Sequence, residues 1–230
     1  MKKIGLIGGM SWESSLVYYK LLNEKVRELR GGFHSARCIM ESLDFAQIES
    51  LQHQNDWTSL NKLMAEAAGN LEKAGADLIV LCTNTMHLCQ EAIREAVSIP
   101  FLHIASATGQ RIVEQKLRTV ALLGTKFTME KDFYKQVLAD EFGIQTLVPN
   151  KPQREEVHRI IYKELVHGQV REDSRKTFQK IISNLQQDGA EGVILGCTEI
   201  PLLIKPEDVE IPVFDTTAIH AEEAVRRALL

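Results

Sequence analysis

The chain has 230 residues, of which 27 are basic and 31 acidic, and its formal net charge is −4 at pH 7. Because the charges are intermixed and no basic block stands out, we expect neither a nucleic-acid-binding protein nor a membrane-surface protein. No apolar run approaches the roughly 18 residues of a membrane span, and the N-terminus enters a strand pattern at once, so we expect a cytoplasmic protein. The four cysteines are too few for a secreted disulfide framework and are expected to be reduced. The expected partner is a small molecule.

Strand patterns and helix patterns alternate along the first hundred residues. In chain order they predict a strand at 3–7, a helix from Ser11 to Gly31, a strand at 36–43, a helix at 57–73, a strand after Gly75, a helix at 88–97 and a strand at 99–104. The first helix is predicted to bury one stripe of apolar residues, namely Leu16, Tyr19, Leu22, Val26 and Leu29. Such alternation is typical of a parallel α/β unit.

The same pattern then starts again in the second half. Residues 119–125 repeat 3–9 at an offset of 116, residues 189–198 repeat 75–84 at 114, and residues 211–214 repeat 99–102 at 112. Further helices are predicted at 130–141, 155–167, 171–187 and 216–230. We therefore predict an α/β fold of two pseudo-symmetric parallel-sheet domains, a duplicated unit, facing each other across a cleft. The first domain is residues 1–103 with the C-terminal helix 216–230, and the second is 104–215. The open alternative is that all βαβ strands look alike.

The repeat pairs two residues at the ends of buried strands. At the offset of 114, the counterpart of Cys197 is Thr83, not Cys82. Since successive strand residues point to opposite faces, Cys82 is expected to point away from any site that Thr83 faces. The carboxyl ends of parallel strands are where α/β sheets bind ligands. Thr83 and Cys197 are therefore expected on opposing walls of the cleft.

Four short motifs carry a family resemblance. They are Gly8-Gly9-Met10, Asn84-Thr85-Met86-His87, Leu123-Gly124-Thr125 with Thr128, and Gly196-Cys197-Thr198-Glu199. Together and in this order the chain resembles the aspartate/glutamate racemases along its whole length. The resemblance implies a cofactor-independent amino-acid racemase with two pseudo-symmetric α/β domains. Family members commonly have a cysteine just before Asn-Thr-x-His as well as in Gly-Cys-Thr-Glu, and here Thr83 stands in the first position.

Racemisation without pyridoxal phosphate needs acid/base groups on both faces of the α-carbon. Cys197 and Thr83 are the predicted catalytic pair, in which a hydroxyl replaces the usual second thiol. The resemblance assigns substrate binding to neutral donors, namely Asn84, Thr85, Thr125, Thr128 and Thr198. Backbone N–H groups around Met10 are further candidates for a carboxylate, and Lys163 or Gln52 for the distal carboxylate. His87 and Glu199 are predicted to lie behind the catalytic residues.

Several alternatives stay open at this point. Cys197 could be an inert buried thiol in a non-catalytic amino-acid-binding module, and Lys163 a solvated helix lysine. Relatives with one active cysteine include decarboxylases of malonate derivatives. A racemase of broader specificity also stays open, because the contact with a distal carboxylate is the weakest part of the assignment. The resemblance implies that no cofactor is needed, and the Gly5–Gly9 loop does not match a dinucleotide fingerprint. Cys82, His87 and Cys89 lack the spacing of a metal site. The sequence also leaves a homodimer open, because exposed helix faces of such domains often pair.

Overall fold

The computed structural model describes residues 1–230, and the chain forms two compact units. The first unit contains residues 1–104 and 220–230, and the second contains residues 105–219. Each unit is built on one four-stranded sheet whose neighbouring strands are all parallel. The predicted α/β fold of two parallel sheets is thereby confirmed, whereas the cleft stays a prediction. None of the helices combines the length and apolarity needed to cross a lipid bilayer.

The first sheet has the strand order β2-β1-β3-β4. Its strands are β1 (Ile4–Gly8), β2 (Cys38–Ser42), β3 (Leu78–Leu81) and β4 (Phe101–Leu102). The helices of this part are α1 (Trp12–Arg30), α2 (Phe45–His53), α3 (Trp57–Lys73) and α4 (Gln90–Ala96), and a 3-10 helix spans Thr85–Cys89. β1 and β3 are buried along their whole length, which is why both read as continuous apolar runs in the sequence.

The second sheet has the equivalent order β6-β5-β7-β8. Its strands are β5 (Thr119–Gly124), β6 (Gln145–Leu147), β7 (Val193–Gly196) and β8 (Val213–Asp215). The remaining helices are α5 (Ile104–Glu114), α6 (Lys126–Glu130), α7 (Asp132–Phe142), α8 (Lys151–Lys163), α9 (Glu172–Gln187), α10 (Ile200–Leu203) and α11 (Thr216–Leu229), with 3-10 helices at Leu165–His167 and Pro206–Asp208. α11 starts in the second unit, and its residues from His220 onward belong to the first.

Strand register reproduces the sequence repeat. Ile7 pairs with Leu81 in the first sheet, and Leu123 pairs with Leu195 in the second. Leu123 follows Ile7 by 116 residues and Leu195 follows Leu81 by 114, which are the two offsets of the sequence repeats. The pairing of β3 with β4 and of β7 with β8 gives the third offset, 112, in the same way. The two predicted catalytic residues therefore occupy equivalent positions, each two residues beyond an equivalent register pair.

The Gly-Ala-acid turns before β3 and β7 perform the same task in both units. The Asp77 carboxylate accepts a hydrogen bond of 2.6 Å from the backbone N–H of Lys3. The Glu191 carboxylate accepts bonds of 2.7 and 2.8 Å from the backbone N–H groups of Arg118 and Thr119. Each acid thus fixes the start of β1 or β5 against the strand that precedes a predicted catalytic residue.

The buried face of α1 differs from the predicted stripe. Its buried residues are Ser14, Ser15, Tyr18, Leu22 and Val26. Leu16, Tyr19 and Leu29 are instead 58%, 51% and 48% exposed, so their predicted burial was wrong. The reason is that polar groups on the buried face have partners: Ser15 Oγ accepts the Gly9 N–H at 2.8 Å. The apolar pattern alone therefore predicts a buried stripe that is displaced by about one residue from the observed buried face of α1. The predicted cap is confirmed, since Ser11 Oγ accepts the Ser14 N–H.

Other differences concern short elements. α2, α5, α6 and α10, and the strand β6, were not predicted. The strand predicted at 99–104 shortens to two residues because Ile104 already starts α5. The helix predicted at 155–167 begins earlier, at a capping box of Asn150 and Gln153, and ends at Lys163 because Glu164 leaves helical geometry.

Candidate active site

The end of β3 places Cys82 and Thr83 in different surroundings. The Cys82 N–H makes the last ladder bond of the strand, 2.9 Å to the Ile7 carbonyl. The Cys82 side chain is fully buried, and burial raises the pKa of its thiol far above the ordinary value. Thr83 is only half-buried. A neutral, inaccessible thiol at position 82 is unsuited to proton transfer, so the hydroxyl of Thr83 is the better candidate at this strand end.

The residues after Thr83 form a 3-10 turn whose side chains point into the protein. Asn84 and Thr85 are buried, with 3% and 6% exposure. Gln52 on α2 is also buried, and its amide nitrogen lies 3.1 Å from the Met86 sulfur, so α2 contacts the same turn. Met10, in the loop after β1, is 6% exposed. Within the first unit, the structure thus brings Gln52 to the Asn-Thr-Met-His turn.

His87 closes this turn through both of its ring nitrogens. Nδ1 lies 2.8 Å from the Thr83 carbonyl oxygen, and Nε2 lies 3.1 Å from the backbone nitrogen of Ile104. The ring is fully buried, and burial, followed by the nearby His103 and His220, holds the pKa of His87 well below 6.5. His87 is therefore a neutral imidazole in contact with the Thr83 backbone, and its part in a reaction stays a prediction.

In the second unit, Cys197 follows β7 and touches a carboxylate. Its thiol donates to Glu199 Oε2 at 2.9 Å, and the Thr198 hydroxyl donates to the same oxygen at 2.7 Å. Burial, then the charge of Glu199, raises the pKa of Cys197 well above its ordinary value. The thiol is therefore protonated at rest, and its hydrogen bond runs to the Glu199 carboxylate.

Two threonines lie against the start of α6, next to the end of β7. Thr125 caps the helix: its Oγ1 accepts the Thr128 N–H at 3.3 Å and lies 3.2 Å from Thr128 Oγ1. Gly124 and Gly196 are register partners, and a Cβ on Gly124 would lie 2.7 Å from the Gly196 carbonyl oxygen. Because Thr125 and Cys197 directly follow these paired glycines, they are neighbours at the sheet edge. Thr128 is fully buried beneath them.

Comparison with known proteins identifies the family of the chain. A family model described as Asp/Glu/Hydantoin racemase matches residues 7–224, nearly the whole chain. The chain belongs to the Asp/Glu/Hydantoin racemase family. The resemblance inferred from the four motifs is thereby confirmed.

Individual relatives agree with the family. A crystal structure of a protein from Yersinia pestis, provisionally named an Asp/Glu racemase, matches with a TM-score of 0.95 at 47% identity, covering 100% of both chains. An aspartate racemase homologue from Pyrococcus horikoshii OT3 gives a TM-score of 0.88 at 39% identity, again covering 100% of both chains. The broad specificity amino-acid racemase RacX of Bacillus subtilis (strain 168) is 29% identical over 172 residues, 74% of this chain and 73% of RacX. These relatives and the family model make this chain an amino-acid racemase.

Lys163, a candidate for the distal carboxylate, lies at the exposed end of a helix of the racemase. It is the last residue of α8 and is exposed. The next residue, Glu164, is buried and is held by Arg159 at 3.1 Å and by Ser174 at 2.5 Å. Those bonds fix the helix end that carries Lys163, while the lysine side chain itself faces solvent.

Sequence reasoning missed the polar partners of the histidines in the racemase. Tyr18 on α1 has its hydroxyl 2.8 Å from His220 Nδ1, and His220 Nε2 lies 3.0 Å from the Leu102 carbonyl oxygen. The rings of His87 and His103 are 4.6 Å apart, and those of His87 and His220 are 5.8 Å apart. The only available signal was His220 on the apolar face of the last predicted helix, a weak one without its distant partners.

The three buried histidines make the stability of the racemase depend on pH. Burial, then His220 and Arg94, lowers the pKa of His103 to about 3, and burial together with Arg227 lowers the pKa of His220 to about 4. Their folded-state pKa values lie below the unfolded value near 6.5, so the unfolded chain binds more protons as pH falls. We expect the unfolding free energy to fall between pH 6.5 and 4.5, by on the order of 1 kcal/mol per pH unit for each buried histidine.

Urea denaturation at pH 7.5, 6.5, 5.5 and 4.5 measures this slope. His103→Gln should reduce the slope, whereas His34→Gln, at an exposed position, should leave it unchanged. A stability that is flat across this range would contradict the assignment of neutral, buried imidazoles.

Proposed function

We propose that this racemase interconverts the enantiomers of aspartate or glutamate, with Cys197 and Thr83 acting on opposite faces of one α-carbon. The family description, which refers to Asp and Glu, and the 39% identical aspartate racemase homologue support the substrate class. The observation that carries the mechanism is the 2.9 Å contact between the Cys197 thiol and the Glu199 carboxylate. No cofactor takes part in the proposed reaction, and the proposed location is the cytoplasm.

Cys197 acts on the L-enantiomer in this proposal, following the family analogy. The thiol first passes its proton to Glu199, which leaves a thiolate beside a neutral carboxylic acid. The thiolate then removes the α-proton, and the electron pair of the broken C–H bond stays on the substrate. Because the buried thiol is otherwise protonated, an adjacent proton acceptor is what makes it a base.

Thr83 acts on the other face as a proton relay. Its hydroxyl donates a proton to the carbanion while it accepts one from a water molecule, so no free alkoxide has to form, and the hydroxide left by that water is neutralised by the proton that Glu199 releases to solvent. A hydroxyl is a weaker base than a thiolate, and the reverse abstraction from the D-enantiomer is therefore slower. The equilibrium constant between the enantiomers stays near one, and only the two half-reactions become unequal.

The proposed contacts of the substrate are mostly neutral donors. Backbone N–H groups at Met10 and the side chains of Asn84 and Thr85 bind the α-carboxylate from the first unit, and Thr125 and Thr198 bind it from the second. Neutral donors stabilise the charge that builds up on deprotonation without forming an ion pair with the thiolate. In this proposal Thr128, fully buried, holds Thr125 in place, and Gln52 or Lys163 binds the distal carboxylate.

A second candidate is a racemase of broader specificity. The 29% identical RacX is described as a broad specificity amino-acid racemase. Lys163 is exposed, and the amide of Gln52 already contacts the Met86 sulfur. Neither side chain is therefore fixed in a position to bind a distal carboxylate. A substrate lacking that group would lose little binding.

Chiral chromatography of reactions with purified protein tests the function. We expect L-aspartate or L-glutamate to be converted toward an equal mixture of enantiomers at least ten times faster than alanine, serine or lysine. Similar rates for all of them would favour the broad-specificity candidate. Release of CO₂ from a substituted malonate with no change in optical rotation would indicate a decarboxylase. Binding of aspartate with neither inversion nor α-proton exchange would indicate a binding module.

A further inference from the structure

His87 is placed between two backbone groups that leave its ring no freedom. The Ile104 nitrogen is a backbone N–H and can only donate, so Nε2 of His87 must accept. The proton of the neutral ring is then on Nδ1, which donates to the Thr83 carbonyl oxygen at 2.8 Å. We assign the Nδ1–H tautomer on this ground. Both nitrogens are occupied by backbone, so neither is available to a substrate.

The Thr83 carbonyl lies beyond the reach of the sheet. The last ladder bond of β3 is the one from the Cys82 N–H to the Ile7 carbonyl. The chain then turns into the Thr85–Cys89 helix, where the His87 N–H bonds to the Asn84 carbonyl at 3.1 Å. Beyond the last ladder bond, the imidazole of His87 bonds the Thr83 carbonyl. This bond fixes the peptide group that joins residues 83 and 84.

We propose that His87 is a positioning residue, which sets the direction of the Thr83 hydroxyl by holding the Thr83 carbonyl with its Nδ1–H. This inference rests on the proposed function, since it gives His87 a part in the Thr83 half-reaction. Orientation of a reacting group is worth orders of magnitude in rate, and a shift of about 1 Å can cost roughly 100-fold. A histidine that merely packs in the core would affect stability without distinguishing the two half-reactions.

The two ring nitrogens can be tested separately by two amide substitutions. His87→Asn places an N–H donor near the Nδ1 position and keeps the bond to the Thr83 carbonyl, but it removes the bond from the Ile104 N–H to Nε2. His87→Gln places an oxygen near the Nε2 position and keeps the bond from Ile104, but it releases the Thr83 carbonyl. Each variant removes the bond of the histidine to one backbone group, so the two are expected to lose similar stability. His53→Asn, at an exposed position on α2, is the control.

Inversion and α-proton exchange are then compared in heavy water. His87→Gln should slow inversion of L-aspartate at least tenfold while leaving exchange of its α-proton through Cys197 within about threefold of wild type. His87→Asn should keep both rates within about threefold. Equal losses in the two variants, or an equal loss of exchange and inversion in His87→Gln, would overturn the positioning role. In ¹⁵N-histidine spectra His87 should show a proton on Nδ1 from pH 5 to 8, and a proton on Nε2 would also overturn it.

The test separates this inference from the function on which it rests. If the wild-type protein neither inverts aspartate nor exchanges its α-proton, the proposed function fails and the role of His87 in it fails as well. If the wild-type protein is active but the two variants behave alike, only the inference about His87 fails.

Discussion

Replacing Cys197 with alanine is expected to lower both inversion and α-proton exchange of L-aspartate by at least about 1,000-fold, within the range of positioned acid/base groups. The reason is that the proposed base is a thiolate, and Cys197 is the cysteine directly after the end of β7. Steady-state polarimetry and ¹H NMR in heavy water measure the two rates. Glu199→Gln should lower both rates as well, by roughly 100-fold, because an amide cannot accept the thiol proton.

The other buried thiols provide matched controls. Cys82 is fully buried, and burial raises the pKa of Cys89 to about 12. Cys82→Ala and Cys89→Ala remove a thiol of similar burial, and each should keep more than half of the inversion rate. If Cys82→Ala is as inactive as Cys197→Ala, the thiol of position 82 acts in the reaction, and the pairing of residues 83 and 197 is wrong.

Replacing Gly9 with alanine is expected to have the largest effect on stability, a loss of at least about 4 kcal/mol, which is exceptional for one substitution. Gly9 has a φ of +87°, and an added Cβ would lie 2.5 Å from the Leu43 nitrogen and still closer to the Leu43 carbonyl oxygen. These are backbone atoms of the residue just after β2, and the Leu43 N–H is bonded to the Gly8 carbonyl at 3.1 Å. They cannot move aside without breaking the sheet edge.

Gly168 is the control that distinguishes the steric clash at Gly9 from the strain of a positive φ. It also has a positive φ, +69°, but an added Cβ would meet no atom within 4 Å. Gly168→Ala should therefore cost only the left-handed conformation, roughly 1–2 kcal/mol. Urea denaturation compares the two variants, and the absence of a cooperative transition for Gly9→Ala agrees with the prediction. Equal losses of unfolding free energy in the two variants would show that a clash with Leu43 does not destabilise Gly9→Ala.

Much of the fold was predictable because its signals are local or repeated. Buried parallel strands are continuous apolar runs, and the duplicated Gly-Ala-acid turns mark where β3 and β7 begin. The constant offset alone identifies Thr83 as the counterpart of Cys197, because strand register must be kept in both copies.

The remainder depends on contacts between residues distant in sequence. The buried face of α1 carries a tyrosine and two serines, and the partner of Tyr18 is His220, 202 residues away. Hydrophobicity cannot reveal a polar group whose partner is that remote. The contact between Cys197 and Glu199 spans only two residues, but it requires the turn in which the Ile200 N–H bonds to the Cys197 carbonyl at 3.2 Å. That turn directly follows a short strand, where element boundaries are hardest to predict.

The most direct test of the proposed pairing compares the two enantiomers of aspartate in heavy water, in the wild-type protein and in Thr83→Cys. The account predicts that wild-type protein exchanges the α-proton of the L-enantiomer at least as fast as it inverts it. It also predicts that a thiol at position 83 accelerates inversion of the D-enantiomer. If Thr83→Cys gives no such gain while its fold and L-exchange are intact, residue 83 does not face the carbon on which Cys197 acts.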